Sequence, residues 1–431
     1  MSKSNRVSRR SFLQTTGAVA ATATVATGLS AKSYGQVIGA NERIGVGLIG
    51  AGIIAQAHMS AFNVLRKRNN LEPVVVADCW ETRAKKGAKK LKLPESRALT
   101  DYRKVIDHKD VDYVTIATPE HQHARMILET LAAGKPLYTE KPMTHTLPEA
   151  QAVVKKQKET GLAVQVGVQG MSDDSYESAG QAIREGLLGR VVQAQIEYVR
   201  CYSKRNGPWR VPGLDENMPK PDDLNWDAWL GHAPKVAWNP HHYFEWRNYA
   251  AYSGGICTDL FIHRITRIMK ACDLLYPRRV VGMGGIWQWP DGRDLPDNFE
   301  MICEYPRGMT VYVLGTMSNK TGIDHLIRGH DGTLQFTPAG WIAKDKDGKV
   351  LAEHKKTGAE DIVLHHTNFH NHLRKGEPLN CPAPLGLAGV AAVCMANESW
   401  RTGRMMAWDT ENEKMVPADT LAFNPYPEKN A

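Results

Sequence analysis

The chain has 431 residues, of which 42% are hydrophobic and 23% are charged. This composition is typical of a folded globular protein and excludes a disordered one. Half of the formal charge of +8 comes from four basic residues within the first ten, and no basic block with interleaved aromatic residues indicates nucleic-acid binding. Seven cysteines without a Cys-x-x-Cys pair predict neither a metal site nor a disulfide framework.

The first 36 residues predict an export signal. The sequence Ser8-Arg9-Arg10-Ser11-Phe12-Leu13 precedes a weakly apolar stretch of alanine, threonine and glycine. Adjacent arginines before such a stretch are typical of twin-arginine signal peptides, and the stretch is too short and interrupted for a membrane span. We expect a twin-arginine signal over residues 1–36, cleavage between residues 29 and 36, and a periplasmic or otherwise extracytoplasmic protein.

Strand-like and helix-like segments alternate from residue 42 to residue 168. Apolar runs predict strands at 44–49, 73–77, 111–117, 135–139 and 162–168, with helical patterns at about 53–68, 81–91, 122–133 and 147–160. This alternation predicts βαβ units around a parallel sheet, and therefore an α/β domain.

The amino-acid composition changes after about residue 170, where tryptophans and prolines cluster. Alternating runs at 191–198, 301–305 and 310–314 predict strands of a large, mainly antiparallel open sheet, and a helical pattern covers 385–401. Residues 169–431 are therefore predicted to form an α+β second domain with helices on one face of this sheet.

A glycine motif, Gly50-x-Gly52-x-x-Ala55, ends the first predicted strand and opens a helix. In this context the first glycine permits a tight turn, and the second lets the backbone approach a pyrophosphate. The phosphates would then bind at the helix N-terminus, beside Ile53 and Ile54. Residues 42–168 are therefore predicted to form a dinucleotide-binding Rossmann domain.

The second predicted strand ends at Asp78, 26 residues after Gly52. A carboxylate at this point can hold the ribose hydroxyls of a dinucleotide. No arginine follows it immediately, which favours NAD, although Arg83 and Lys85 leave NADP open.

Further motifs follow the predicted strand ends, where an open α/β sheet binds its ligand. With these motifs the chain resembles the Gfo/Idh/MocA oxidoreductase family. The residues that carry the resemblance are Gly50-Ala51-Gly52, Ala117-Thr118-Pro119 with His123, Ala133-Gly134-Lys135, Glu140-Lys141-Pro142, and Gly254-Gly255 followed by Asp259 and His263.

The resemblance implies a sugar or polyol substrate held between the two domains, a subunit association into dimers or tetramers, and NAD(P)-dependent hydride transfer. It places Thr118, Pro119, His123, Glu140 and Lys141 at the cofactor. Lys141 would also stabilise the reacting alkoxide.

The same resemblance makes Asp259 and His263 catalytic. Their spacing of four puts them on one helical face, where the carboxylate would orient the imidazole and raise its basicity for proton abstraction. Taken alone, this spacing is more typical of a surface ion pair. Members of the glucose–fructose oxidoreductase type carry tyrosine where His263 stands, so this chain is more similar to the inositol-dehydrogenase pattern.

Other residues give weaker signals. Trp246, Arg247 and Tyr252 precede the Gly-Gly turn and could line a sugar site, although packing explains the aromatic residues equally well. The histidines His365, His366, His370 and His372 lack cysteine or acidic partners at zinc spacing, so we expect no metal there.

Export has a consequence for the chemistry, because free NAD is scarce outside the cytoplasm. A retained cofactor could pass hydride between two sugars. It could instead oxidise one sugar transiently so that a glycosidic bond is eliminated, hydrated and reduced, which is net hydrolysis. A third alternative is a non-catalytic dinucleotide-binding sensor.

Overall fold

The computed structural model describes residues 43–422, 424 and 426, so the predicted signal lies outside the described residues. The first half contains the elements β1 (Ile44–Ile49), α1 (Ile53–Arg68), β2 (Leu71–Ala77), α2 (Glu81–Lys90), β3 (Ala98–Leu99), α3 (Arg103–Ile106), β4 (Tyr113–Ile116), α4 (Glu120–Ala132), β5 (Leu137–Glu140), α5 (Leu147–Thr160) and β6 (Val164–Gly167).

These strands form one six-stranded parallel sheet in the order β3-β2-β1-β4-β5-β6. The sheet confirms the predicted Rossmann domain, and β3 is an addition that the sequence did not indicate. The order reverses between β1 and β4, so the carboxyl ends of these two strands border the crevice in which an open α/β sheet binds ligands.

The second half contains α6 (Ser175–Arg184), β7 (Val191–Val199), α7 (Trp226–Leu230), α8 (Pro240–Phe244), α9 (Ile262–Cys272), β8 (Arg279–Gly285), β9 (Asn298–Tyr305), β10 (Met309–Thr316), β11 (Leu326–Gly329), β12 (Thr333–Thr337), β13 (Gly340–Lys344), β14 (Val350–Lys355), α10 (Ile362–Lys375), α11 (Ala383–Thr402), β15 (Met406–Asp409) and β16 (Lys414–Pro417). A single π-helical turn (Cys257–Phe261) leads into α9.

The second sheet has ten strands in the order β14-β13-β12-β11-β7-β10-β9-β8-β15-β16. Among its pairings only β7 with β10 is parallel, which confirms the predicted mainly antiparallel sheet. Side chains of β9 alternate between buried and more exposed. One face of the second sheet packs on helices α9 and α11, which buries every second side chain.

Helix α11 joins the two halves of the molecule. It packs against α5 of the Rossmann domain, against α9 and against β8, and most of its residues are buried small or aliphatic side chains. At Gly389 a Cβ would lie 2.7 Å from side-chain atoms of Ile262 and Thr266, so this glycine permits the close approach of α11 and α9. No helix among the described residues is long and apolar enough to cross a membrane.

Helix α10 returns to pack against α1 and buries three of the four histidines of the sequence cluster. His365 lies 3.0 Å from the Val166 carbonyl oxygen, His366 lies 2.9 Å from a ring nitrogen of His58, and His370 lies 2.9 Å from the Tyr113 hydroxyl. These contacts satisfy buried polar atoms. Among the described residues no group of three or more histidine, cysteine and acidic side chains is arranged to hold a metal ion.

Acid is expected to destabilise the fold through these histidines. Burial lowers the pKa of His365 to about 4 and that of His370 to about 3, whereas both return to an ordinary value of about 6.5 on unfolding. Their contribution to the free energy of unfolding is therefore complete above about pH 6.5 and decreases as the pH falls towards 4. Urea unfolding at several pH values between 4 and 6.5 measures how steeply the free energy of unfolding changes with pH, which we call the slope.

The variant His365→Gln is expected to reduce this slope, and His330→Gln, at an exposed position, is expected to retain it. An unchanged slope in His365→Gln would contradict the attribution of acid destabilisation to this histidine.

Candidate active site

A cavity of about 640 Å³ lies at the carboxyl ends of β1, β2 and β4. The Rossmann domain supplies one wall and residues of the second domain supply the other. The predicted cofactor and substrate residues that line it are Gly50, Gly52, Ile53, Ile54, Asp78, Thr118, Pro119, Trp246 and Arg247.

The glycine loop shapes the floor of this cavity. Gly50 has a φ of 88°, and a Cβ there would lie 2.6 Å from the Ala117 carbonyl oxygen, so β1 can turn beside β4 only with glycine. At Gly52 a Cβ would meet only the Arg83 guanidinium, at 3.8 Å. No side chain caps the N-terminus of α1, which leaves its amides available to a phosphate.

Asp78 stands beside this loop with its carboxylate fixed by two amides. The Ala51 N–H donates to Oδ2 at 2.8 Å and the Trp80 N–H donates to Oδ1 at 2.9 Å. Burial raises the pKa of Asp78, and these amides oppose the rise. Lys85 is bound instead to Glu81 and Glu95, away from the cavity.

The opposite wall is aromatic and is joined to the Rossmann domain by the 222–225 segment. The Asp223 carboxylate accepts hydrogen bonds from the Trp80 indole, the Thr82 N–H and the Thr82 hydroxyl at 2.8, 2.8 and 2.6 Å. Arg83 lies between the walls, with its guanidinium carbon 5.0 Å from the Trp80 ring centroid and 4.9 Å from that of Tyr243. The second domain therefore covers the nucleotide end of the cavity.

A buried ion pair lies beyond the cavity, between β5 and the π-helical turn. The Lys141 ammonium donates to Asp259 Oδ1 at 2.6 Å and to the Asp259 carbonyl oxygen at 2.7 Å. The Arg247 Nε–H donates to the same carboxylate oxygen at 3.0 Å. Burial opposes ionisation of Asp259, but the charges of Arg247 and Lys141 prevail and hold its pKa well below the usual range.

His263 lies one turn beyond Asp259 and is buried. Burial lowers its pKa well below the ordinary value, and the neighbouring charges of Lys141 and Arg267 lower it further. The ring is therefore neutral at pH 7. The charge of Asp259 opposes this lowering of the pKa, as predicted. No Asp259–His263 hydrogen bond forms among the described residues: Lys141 and Arg247 both bind Asp259 Oδ1, and His263 Nδ1 has no hydrogen-bond partner.

Besides Lys141, Asp259 and His263, three further predicted site residues lie behind the cavity and do not line it. The ring nitrogens of His123 lie 2.8 and 2.9 Å from the carbonyl oxygens of Pro142 and Thr118. The Glu140 carboxylate lies 2.9 Å from His58, and the Tyr252 hydroxyl lies 3.0 Å from His242. These contacts support the loops that follow β4 and β5 and the aromatic wall.

A buried acid that sequence analysis missed connects the two halves of the site. Glu120, the first residue of α4, accepts hydrogen bonds from the Ser253 hydroxyl at 2.7 Å, the Thr258 hydroxyl at 2.8 Å and the Gly254 N–H at 3.2 Å. It thereby fixes the turn that precedes Asp259. Its position directly after Thr118-Pro119 was the only available signal.

Comparison with known families assigns the chain to one of them. A family described as an oxidoreductase family with an NAD-binding Rossmann fold matches residues 44–168, and its C-terminal alpha/beta domain matches residues 175–424. The chain belongs to the Gfo/Idh/MocA oxidoreductase family. The NAD-binding assignment of its Rossmann domain agrees with the Asp78 carboxylate at the cavity.

The curated proteins that the chain resembles include dehydrogenases. The chain is 29% identical to levoglucosan dehydrogenase of Pseudarthrobacter phenanthrenivorans over 39% of its length and 45% of that protein. It is 32% identical to inositol 2-dehydrogenase of Rhodococcus erythropolis over 43% of its length and 50% of that protein. The matched regions thus span about half of these relatives.

Solved structures share the fold of this chain. The WlbA dehydrogenase of Bordetella pertussis, solved with NADH and UDP-GlcNAcA, superimposes with a TM-score of 0.63 at 17% identity, over 85% of this chain and 98% of that one.

Asp78 is expected to govern cofactor affinity and selectivity. We expect Asp78→Ala to weaken NAD binding by about 10- to 100-fold, because a charged hydrogen-bond acceptor for the ribose is lost, and to narrow the preference for NAD over NADP. Fluorescence titration with both nucleotides measures this. Asp107→Ala, at an exposed position, is the control, and an unaltered NAD affinity in Asp78→Ala would refute the role.

Proposed function

We propose that the protein is an NAD-dependent oxidoreductase that oxidises a CH–OH group of a sugar or polyol. The observation that carries this proposal is that a fixed ammonium, that of Lys141, and a neutral buried imidazole, that of His263, both lie next to the NAD-binding cavity. The names of the relatives, inositol and levoglucosan dehydrogenases, support the same substrate class.

The donors of Lys141 define its role. An ammonium has three N–H donors, and Asp259 accepts two of them. The third remains for the substrate oxygen, where the positive charge stabilises the alkoxide that develops during oxidation. Asp259, which is itself bound by Arg247, holds Lys141 in this position.

His263 completes the chemistry as the general base. A neutral imidazole has a free lone pair, so it accepts the hydroxyl proton while the carbon gives up its hydride and a carbonyl forms. Bound NAD supplies the hydride acceptor. The proton remains on His263 until it is passed to solvent.

We further propose that the cofactor is retained between turnovers and that the protein is exported, as the sequence of residues 1–36 predicts. The cover over the nucleotide end of the cavity, held by Asp223, supports retention. The comparisons lend no support to the glycosidase and sensor alternatives.

His263→Gln and Lys141→Met are expected to lower kcat by about 10²- to 10⁴-fold, since each removes a group that acts on the reacting hydroxyl. NAD affinity should stay within about twofold, because neither side chain lines the nucleotide cavity. NADH formation with sugars and polyols measures the first effect, and nucleotide titration measures the second. His330→Gln is the matched control, and full activity of His263→Gln would disprove its role as base.

Cofactor retention has its own test. Protein purified without its first 36 residues is expected to release close to one equivalent of NAD(H) on denaturation. Asp223→Ala is expected to speed NAD dissociation about tenfold, because it removes three hydrogen bonds that close the cavity. Asp227→Ala, an exposed acid on α7, should dissociate at the wild-type rate. Equal rates in all three proteins would contradict the role of this cover.

A further inference from the structure

A second group of polar side chains lies beside His263, at the end of β7. The strand continues in extended form past Val199, because the Arg200 N–H donates to Thr316 at 2.9 Å and the Tyr202 N–H donates to Met317 at 3.0 Å. Alternation along an extended strand puts Tyr198, Arg200 and Tyr202 on one face. The Tyr198 ring centroid lies 6.3 Å from that of His263.

We call these three side chains the donor cluster, because the two tyrosine hydroxyls accept hydrogen bonds from Arg200 and keep their own O–H donors. Arg200 donates to the Tyr198 hydroxyl at 2.8 Å and to the Tyr202 hydroxyl at 3.1 Å. Each phenol therefore accepts, and its own O–H proton must point elsewhere. Among residues 43–422 neither O–H proton has a hydrogen-bond acceptor, so the cluster offers two O–H donors and the remaining N–H donors of Arg200 to a ligand.

The cluster also carries the positive charge of Arg200. No carboxylate in the described part of the chain forms an ion pair with Arg200, and a second guanidinium, that of Arg264, lies 4.6 Å from the Tyr198 ring centroid. The charge of Arg264 is offset by Glu360 and Glu197, so the unpaired charge of the cluster is that of Arg200. A group that only accepts hydrogen bonds and carries negative charge fits this cluster better than a sugar hydroxyl, which must also donate.

We propose that the donor cluster binds an anionic group of the substrate, so that the protein oxidises an acidic sugar in preference to a neutral one. This inference rests on the proposed function and narrows its substrate class. The anion is a carboxylate or a phosphate ester, carried by the same molecule whose hydroxyl reaches His263.

Matched substrate pairs test the proposal. NADH formation is compared for glucuronate against glucose, gluconate against sorbitol, and glucose 6-phosphate against glucose. We expect kcat/KM to be at least about tenfold higher for the acid of one pair, since charged hydrogen bonds are worth about that factor or more. A preference confined to glucose 6-phosphate would identify the anion as a phosphate ester, and a preference for glucuronate or gluconate would identify it as a carboxylate.

Equal or better oxidation of the neutral partners would overturn the inference and leave the proposed function intact. Failure to oxidise any sugar, acidic or neutral, would overturn the proposed function and this inference with it.

Arg200→Gln separates anion binding from a structural effect. We expect KM for the preferred acid to rise about 10- to 100-fold, while KM for its neutral partner and the affinity for NAD change less than about twofold. Arg200→Lys should recover part of the loss because it keeps the charge without the fork of donors. Arg401→Gln, at an exposed helix end, is the charge-matched control. Equal losses for acid and neutral substrates would overturn the proposal.

Discussion

The ion pair between Lys141 and Asp259 is the interaction on which the arrangement of the site depends. Lys141 follows β5 of the Rossmann domain and Asp259 lies in the π-helical turn of the second domain, so the pair crosses from one domain to the other. Burying two charges is costly unless their hydrogen-bonding capacity is filled. Asp259 binds two cations, Lys141 and Arg247, and accepts a second hydrogen bond from Lys141 through its carbonyl oxygen, which ties the position of the reacting ammonium to the contact between the domains.

The surrounding contacts hold both partners of this pair in place. The His123 ring lies between the carbonyl oxygens of Thr118 and Pro142, and a hydrogen bond from its ring N–H supports the loop next to Lys141. Glu120 fixes the Gly254 turn ahead of Asp259. Residues of this kind act through others, and their place in the motifs reflects positioning of the site rather than contact with a ligand.

The sequence predicted what depends on local patterning and failed where distant segments meet. The glycine motif, the alternation of strands and helices, and Asp78 at a strand end are local features, and the structure puts them at one cavity. The environment of Asp259 was predicted only in part. Burial lowers the pKa of His263 and the charge of Asp259 opposes this, as expected. Spacing along a helix cannot reveal Arg247 or Lys141, which arrive from other elements and bind Asp259. The contact of Asp223 with Trp80 and Thr82, which closes one end of the cavity, could not be predicted for the same reason, since these partners are about 140 residues away.

The charges around His263 connect the two proposals. Burial disfavours its protonated form, and the cations Lys141, Arg267 and Arg264 add to this effect, so the free site contains a weak base. An anion held by Arg200, on the strand that also carries Tyr198, would offset part of this positive field. The imidazole would then accept a proton more readily when an acidic substrate is bound than when a neutral one is. Substrate charge would thereby act on the chemical step as well as on binding, through the same electrostatics that keep His263 neutral beforehand.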